Sequence, residues 1–147
     1  MSELRGRTHT TRTRVRFGET DAAGIVFYPT FFVWFDVGVS GLLRAAAGPL
    51  LGDDGRPRWA VPIVESGARF VKPLYYDDAI AIRSTIVEVG TSSFRVEHVV
   101  ERDGVEVARG FEVRALIGYD GGRIAARPIP QELRAALADG ASTEDSA

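Results

Sequence analysis

The chain contains no cysteine, one methionine and two histidines in 147 residues, and Lys72 is its only lysine. Without thiols it forms neither disulfides nor thiolate metal sites, and a cysteine nucleophile is excluded. Nothing then favours an oxidising compartment, so the expected location is cytoplasmic. A long apolar run is missing from Met1 to Arg16, which instead carries Arg5, Arg7, Arg12, Arg14 and Arg16. Neither a signal peptide nor a membrane anchor is expected there. An excess of positive charge is also missing: 18 basic residues face 20 acidic ones, for a net charge of -2. That balance argues against an unspecific grip on nucleic acid. No metal-ligand spacing occurs, and no cofactor is implied.

What is present is enough apolar material for one core, 45% of residues, so a single domain over residues 1–138 is expected. Alternation from Arg12 to Phe17 puts Thr13, Val15 and Phe17 on one face of a strand and arginines on the other. After Gly18 and Gly24 the spacing becomes helical, with Phe31, Phe32, Phe35, Val39, Leu42, Leu43 and Ala46 forming one stripe. Pro29 suits the first turn of that helix, and Gly48-Pro49 stops it. Beyond Arg58 the chain reads as strands over Val61 to Val71, Ala79 to Val89, Phe94 to Arg102 and Val105 to Gly118, with Asp103-Gly104 a hairpin turn. Ile80, Ile82 and Ile86 share one face, as do Val105, Val107, Phe111, Val113 and Ile117. An α+β architecture follows: an antiparallel sheet of about five strands wrapped around one long helix. Asp120-Gly121-Gly122 is a turn, Pro130 to Ala138 a short helix with Leu133 and Leu137 on one side, and residues 139–147 read as a disordered acidic tail.

The chemistry concentrates in Arg16-Phe17-Gly18-Glu19-Thr20-Asp21-Ala22-Ala23-Gly24-Ile25-Val26-Phe27-Tyr28-Pro29. This stretch sets a carboxylate, Asp21, beside the start of a helix. The unpaired donors expected there are the N–H groups of Tyr28, Thr30 and Phe31, backed by the positive end of the helix dipole. Such donors stabilise the oxyanion that develops when a carbonyl carbon turns tetrahedral. Asp21 would then either attack the carbonyl or deprotonate water. The same Asp-x-x-Gly spacing also serves as a plain loop cap.

Read as RFGETDAAGIVFYPTFFVWFD, Arg16 to Asp36 resembles the signature of the 4-hydroxybenzoyl-CoA thioesterase family. The likeness continues through Pro62-Ile63-Val64, Phe70, Tyr76-Asp77-Asp78 and Ser93-Phe94. It implies the hotdog fold, hydrolysis of an aryl- or acyl-CoA thioester, Asp21 as catalytic carboxylate and the Tyr28 N–H as the group polarising the carbonyl. It further implies that Gly24 forms the turn, that Phe27 and Tyr28 lie near the acyl group, and that homodimers or homotetramers carry active sites at subunit interfaces. Phe31 and Trp59 join the expected aryl-binding residues, and Pro29, where other branches have histidine, favours the aryl-CoA branch. One departure is Gly90-Thr91-Ser92-Ser93, where an aryl-CoA member carries a basic cluster; Arg95, Arg102 or Arg123 would have to hold the nucleotide phosphates instead. Thioesters of a carrier protein and a silent acyl-CoA-binding module are the alternatives. Glu65 is expected to be structural, His98 a hydrogen-bonded core residue, His9 inert in the N-terminal arm, and Asp36 a salt-bridge or subunit contact.

Overall fold

The computed structural model describes residues 5–147; residues 1–4 of the arginine-bearing arm lie outside it. Strand β1 spans Thr8–Arg14 and is followed by a single-turn 3-10 helix, Phe17–Glu19, and the long helix α1, Pro29–Ala47. Then come β2 (Ile63–Phe70), β3 (Ala79–Val89), β4 (Ser93–Arg102), β5 (Val105–Ala115), β6 (Ile117–Asp120), β7 (Arg123–Ala126), α2 (Gln131–Ala138) and β8 (Ser142–Ser146). Six strands form one sheet in the order β2-β5-β4-β3-β1-β8, and β6 and β7 form a separate hairpin. All pairings are antiparallel except that of β8 with β1.

Helix α1 begins where Pro29 needs no hydrogen-bond partner and buries Phe31, Trp34, Phe35, Val39, Leu42 and Leu43 against the sheet. By length and composition alone it could cross a membrane, but its apolar stripe is spent on this sheet. Gly38 and Gly41 let it approach closely: a side chain at 38 would strike Ser84 Oγ, and one at 41 would stand 2.6 Å from His9 Nε2. The β4–β5 turn uses Asp103 and Gly104, both at positive φ (52° and 75°), the geometry that the Asp-Gly pair announced.

Four expectations need correction. Phe17 does not continue the inward face of β1; it lies in the 3-10 turn, 75% exposed, its ring edge-on to Tyr76 at 5.7 Å. The common face expected for Val107, Phe111 and Val113 is broken. The register shifts between Val100↔Ala108 and Glu101↔Glu106, so one extra residue enters β5. Because side chains alternate, that insertion turns Glu112 and Arg114 inward, where both are buried, and leaves Phe111 half-buried on the other side.

The remaining two corrections concern the chain ends. Residues 139–147 are not disordered: β8 extends the sheet beside β1, with Thr8↔Ser142 through Arg12↔Ser146 in register. Composition misleads here because backbone pairing on an open edge needs no apolar side chains. His9 is not idle in an arm but 2% exposed; its Nδ1 bonds Thr143 Oγ1 at 2.8 Å, tying β1 to β8. Its Nε2 stands 3.1 Å from Asp145 Oδ1 yet off the angle for a hydrogen bond, so that contact is one of proximity only.

Candidate active site

The segment between β1 and α1 folds on itself through its own polar groups. The Thr20–Val26 bridge closes it, and within it the Asp21 N–H donates to Ile25 O (3.0 Å) and the Gly24 N–H to Asp21 O (2.9 Å). Gly24 sits at φ +82°, a conformation that a side chain would strain. Asp21 Oδ1 accepts the Ala23 N–H at 2.8 Å, while Oδ2 makes no hydrogen bond among the described residues. The loop-cap reading of Asp21 is therefore correct for one oxygen and leaves the other, exposed to solvent, uncommitted.

The helix start offers fewer free donors than the sequence suggests. The Thr30 N–H donates to Phe27 O (2.9 Å) and the Phe31 N–H to Tyr28 O (3.1 Å), so the first turn consumes both. Among the described residues the Tyr28 N–H alone of the three has no acceptor. Tyr28 itself lines a groove of about 420 Å³ with Val26, Phe31, Phe70 and Leu74, and Lys72 is the one charged residue on its wall. The rings there are packed edge-on or tilted, Tyr28–Phe70 at 6.3 Å and Phe31–Phe70 at 5.0 Å, and Phe27, outside the lining residues, stands edge-on to Tyr28 at 5.4 Å. Asp21 lies outside the residues lining this groove.

Trp59 is not brought to this place. It packs among the second set of core residues, with Val39, Leu42, Leu43 and Leu116, under the Arg58 guanidinium at 5.4 Å. Leu42 is eleven residues beyond Phe31, about 16 Å along the helix. Of the arginines considered for phosphates, Arg95 lies over the Phe111 ring at 4.1 Å and Arg102 bonds Asp78 at 2.9 Å. Arg123 opens β7, exposed. Glu65 is exposed on β2, outside the groove.

Sequence reasoning missed Glu19. Its Oε1 accepts the Arg16 N–H (2.7 Å), its Oε2 the buried Trp34 Nε1–H (3.0 Å), and its backbone carbonyl the Phe27 N–H (2.9 Å). The Arg16…Glu19 spacing was legible, but the partner on α1 lies fifteen residues away and no local pattern points to it.

A second polar cluster is sealed beneath the same helix. His98 is fully buried, stacked on Phe35 at 4.7 Å; its Nδ1 meets Ser84 Oγ (2.8 Å) and its Nε2 meets Glu112 Oε1 (2.9 Å). Burial pulls the His98 imidazole below its ordinary value of 6.5, with the bond to Glu112 opposing. For Glu112, burial pushes upward, but the His98 hydrogen bond and the Arg114 charge together hold the carboxyl below its ordinary 4.5. Neutral His98 thus carries its proton on Nε2, donated to ionised Glu112, and accepts the Ser84 hydroxyl at Nδ1. Arg114 continues the chain to Glu112 Oε2 (2.7 Å) and to Asp36 (2.9 Å), which is the salt bridge anticipated for Asp36.

The model of the Thioesterase-like superfamily matches residues 15–137. The 4-hydroxybenzoyl-CoA thioesterase of Pseudomonas sp. strain CBS-3 is 32% identical over 141 residues, covering 86% of this chain and 94% of that protein. This chain belongs to the thioesterase-like superfamily. It is a thioester hydrolase with the hotdog fold. A 1,4-dihydroxy-2-naphthoyl-CoA hydrolase of Synechococcus sp. strain CC9311 is a further relative of the thioesterase, 31% identical over 81% of this chain and 83% of that one. Among solved structures, a gentisyl-coenzyme A thioesterase matches with TM-score 0.75 and 36% identity, covering 88% of this chain and 99% of that chain. An aspartate-to-asparagine mutant of 4-hydroxybenzoyl-CoA thioesterase complexed with 4-hydroxybenzoyl-CoA matches with TM-score 0.80 and 30% identity, over 89% and 99%.

Proposed function

We propose that this thioesterase hydrolyses an aryl- or acyl-CoA thioester, with the Tyr28 N–H holding the carbonyl oxygen and Asp21 supplying the carboxylate. The observation that carries this reading is that Tyr28, whose N–H alone of the three expected donors has no acceptor among the described residues, lines a groove walled by Phe31 and Phe70. A fixed donor of this kind lowers the barrier by about 3 kcal/mol, because it meets the charge that appears only as the carbon turns tetrahedral. The acyl group lies in the aromatic groove, and relatives whose names specify benzoyl, naphthoyl and gentisyl thioesters favour an aryl group.

Two routes use Asp21. In one, Oδ2 attacks the carbonyl, the C–S bond breaks with CoA leaving as thiolate, and water then cleaves the mixed anhydride. In the other, Asp21 takes a proton from water, the hydroxide adds to the carbonyl, and the thiolate leaves. Either way one water is consumed and acid and thiol are released.

The chain alone leaves the site open on one side, since Asp21, Phe27 and Tyr28 are all exposed. Strand β2 is a sheet edge with Ile63, Val64, Phe70 and Val71 exposed at or beside it, 45–62% each. We take this as the face on which a second copy pairs, closing the site as a homodimer or a homotetramer. The protein acts in the cytoplasm.

Thiol release from benzoyl-CoA, 4-hydroxybenzoyl-CoA and medium-chain acyl-CoAs tests the activity, with Asp21→Asn as the control. Binding without turnover in the parent protein would make it an acyl-CoA-binding module, and turnover of carrier-protein thioesters only would remove CoA from the reading. A single turnover in heavy-oxygen water that leaves label in the Asp21 carboxylate establishes attack by that residue with water cleaving the anhydride at the aspartyl carbonyl, whereas label in the released acid alone fits activation of water or cleavage of the anhydride at the acyl carbonyl.

A further inference from the structure

Deepening the reading of Asp21 and Tyr28, and resting on it, is a role for Glu19. The hairpin carrying Asp21 must hold one distance to the Tyr28 N–H, yet it is exposed and short. Among the described residues, Glu19 makes the only side-chain hydrogen bond between residues 16–28 and helix α1. Its three acceptor atoms gather the Arg16 N–H at the entrance of the loop, the Phe27 N–H at its exit and the Trp34 indole on the helix. Trp34 is 4% exposed and packs edge-on to Phe31 at 5.1 Å, so the tie ends one ring contact away from the Phe31 wall of the groove. A carboxylate is suited to this position because both its oxygens face N–H donors; an amide would turn an NH₂ group toward one of them.

We propose that Glu19 is a positioning residue: through Trp34 it fixes the Asp21 hairpin against the start of α1, and its loss lowers the rate of the chemical step more than the binding of substrate. Displacement of a reacting group by about 1 Å costs on the order of 100-fold in rate, whereas the groove that binds the acyl group does not include Glu19.

The experiment compares Glu19→Ala, Glu19→Gln, Trp34→Phe and the Glu19→Ala/Trp34→Phe double variant by kcat and KM on whichever thioester the parent turns over. Trp34→Phe keeps an aromatic ring against Phe31 and removes the N–H donor, together with part of the indole volume in the core. Glu19→Ala is expected to lower kcat by roughly 10- to 100-fold with KM changed less than about threefold. Trp34→Phe should lower kcat in the same sense, Glu19→Gln by less than Glu19→Ala, and the double variant should be no slower than Glu19→Ala, because both changes break one contact. Amide exchange should speed at Phe27 and Asp21 in Glu19→Ala while β3 and β4 keep their protection. Unchanged kcat in Glu19→Ala, losses that multiply in the double variant, or equal loss of protection across the sheet would overturn the role. If Glu19→Ala does not fold, Trp34→Phe and Glu19→Gln decide by the same criteria. Full turnover by Asp21→Asn would instead remove the proposed function itself, and full turnover by Glu19→Ala beside a dead Asp21→Asn would remove only this inference.

Discussion

Helix α1 presides over two groups of polar atoms that have been treated in opposite ways. Ahead of its first turn, Asp21 Oδ2 and the Tyr28 N–H have no partner among the described residues, and both residues are exposed. Along its middle, Ser84, His98, Glu112 and Arg114 are buried and joined to one another at 2.7–2.9 Å. An unpaired group at the surface costs little, because water satisfies it until substrate arrives; an unpaired group in the core costs the full desolvation penalty. The first region thus keeps polar atoms uncommitted, and the second is committed to structure, although its Ser84–His98–Glu112 order resembles a hydrolytic triad. Ser84 Oγ is sealed under Gly38 and has no path to substrate.

The largest effect that separates the regions is on catalysis. Asp21→Asn is expected to lower kcat by about a thousandfold, near 4 kcal/mol, while the urea midpoint stays put, since the amide oxygen still accepts the Ala23 N–H. A fall in stability equal to that in rate would place Asp21 with the structural group. Glu112→Ala should do the reverse. It strands His98 and Arg114 in the core and is expected to cost about 3 kcal/mol of unfolding free energy in urea, with kcat of the folded fraction nearly unchanged. Preserved stability in that variant would mean that the ladder is not what holds the helix to the sheet.

A smaller effect comes from pH. His98 in the folded chain titrates below 6.5, so the unfolded chain binds the extra proton as pH falls past that value. Stability from this group is therefore present above pH 6.5 and is lost as pH falls from there toward the lowered value. Between pH 7.5 and 5.5 the loss amounts to at most about 1.4 kcal/mol. Glu112, held below 4.5, adds a second loss only at pH lower than that. Urea titrations of parent and His98→Gln proteins at the two pH values isolate the first step: the variant should lose it, and an identical slope would assign the dependence elsewhere.

How much of this was legible depends on how local each signal is. Helix α1 was readable from Pro29 to Gly48, and β3 from Ala79 to Val89, because period and punctuation lie within the segment itself. The turn at Asp21 and Gly24 was readable for the same reason, but the use of the Thr30 and Phe31 N–H groups by the first turn of α1 was not, because it depends on how the chain enters the helix. The inward turn of Glu112 was not, because one residue inserted between Ala108 and Glu106 reverses the alternation, and the bulge is set by pairing with β4 rather than by β5's own sequence. Trp59 looked like a pocket residue because aromatic composition carries no address; only the packing of residues 49–61 places it near Leu42. Glu19 escaped because its partner is on another element.

The same distinction between local and distant signals applies at the chain's end, and sets the smallest prediction. Strand β8 consists of Ser, Thr, Glu, Asp and Ser, a composition that cannot bury apolar surface. It is held by parallel backbone pairing to β1, by Thr143 on His9 and by an exposed Arg12–Glu144 contact at 3.3 Å. Exposed ion pairs contribute roughly 0–1 kcal/mol, and ordering each residue costs about as much as its edge hydrogen bond returns. Ending the chain at Asp139 should therefore cost only about 1–2 kcal/mol, mostly from exposing His9 to water, and should leave kcat and KM on the best thioester unchanged. It also bares the β1 edge, so the truncated protein should self-associate at concentrations where the full chain does not, which light scattering reads directly. A truncated chain that loses turnover while keeping its fold would show that the two ends of α1 are coupled through the sheet, and that the separation between the working region and the structural one is incomplete.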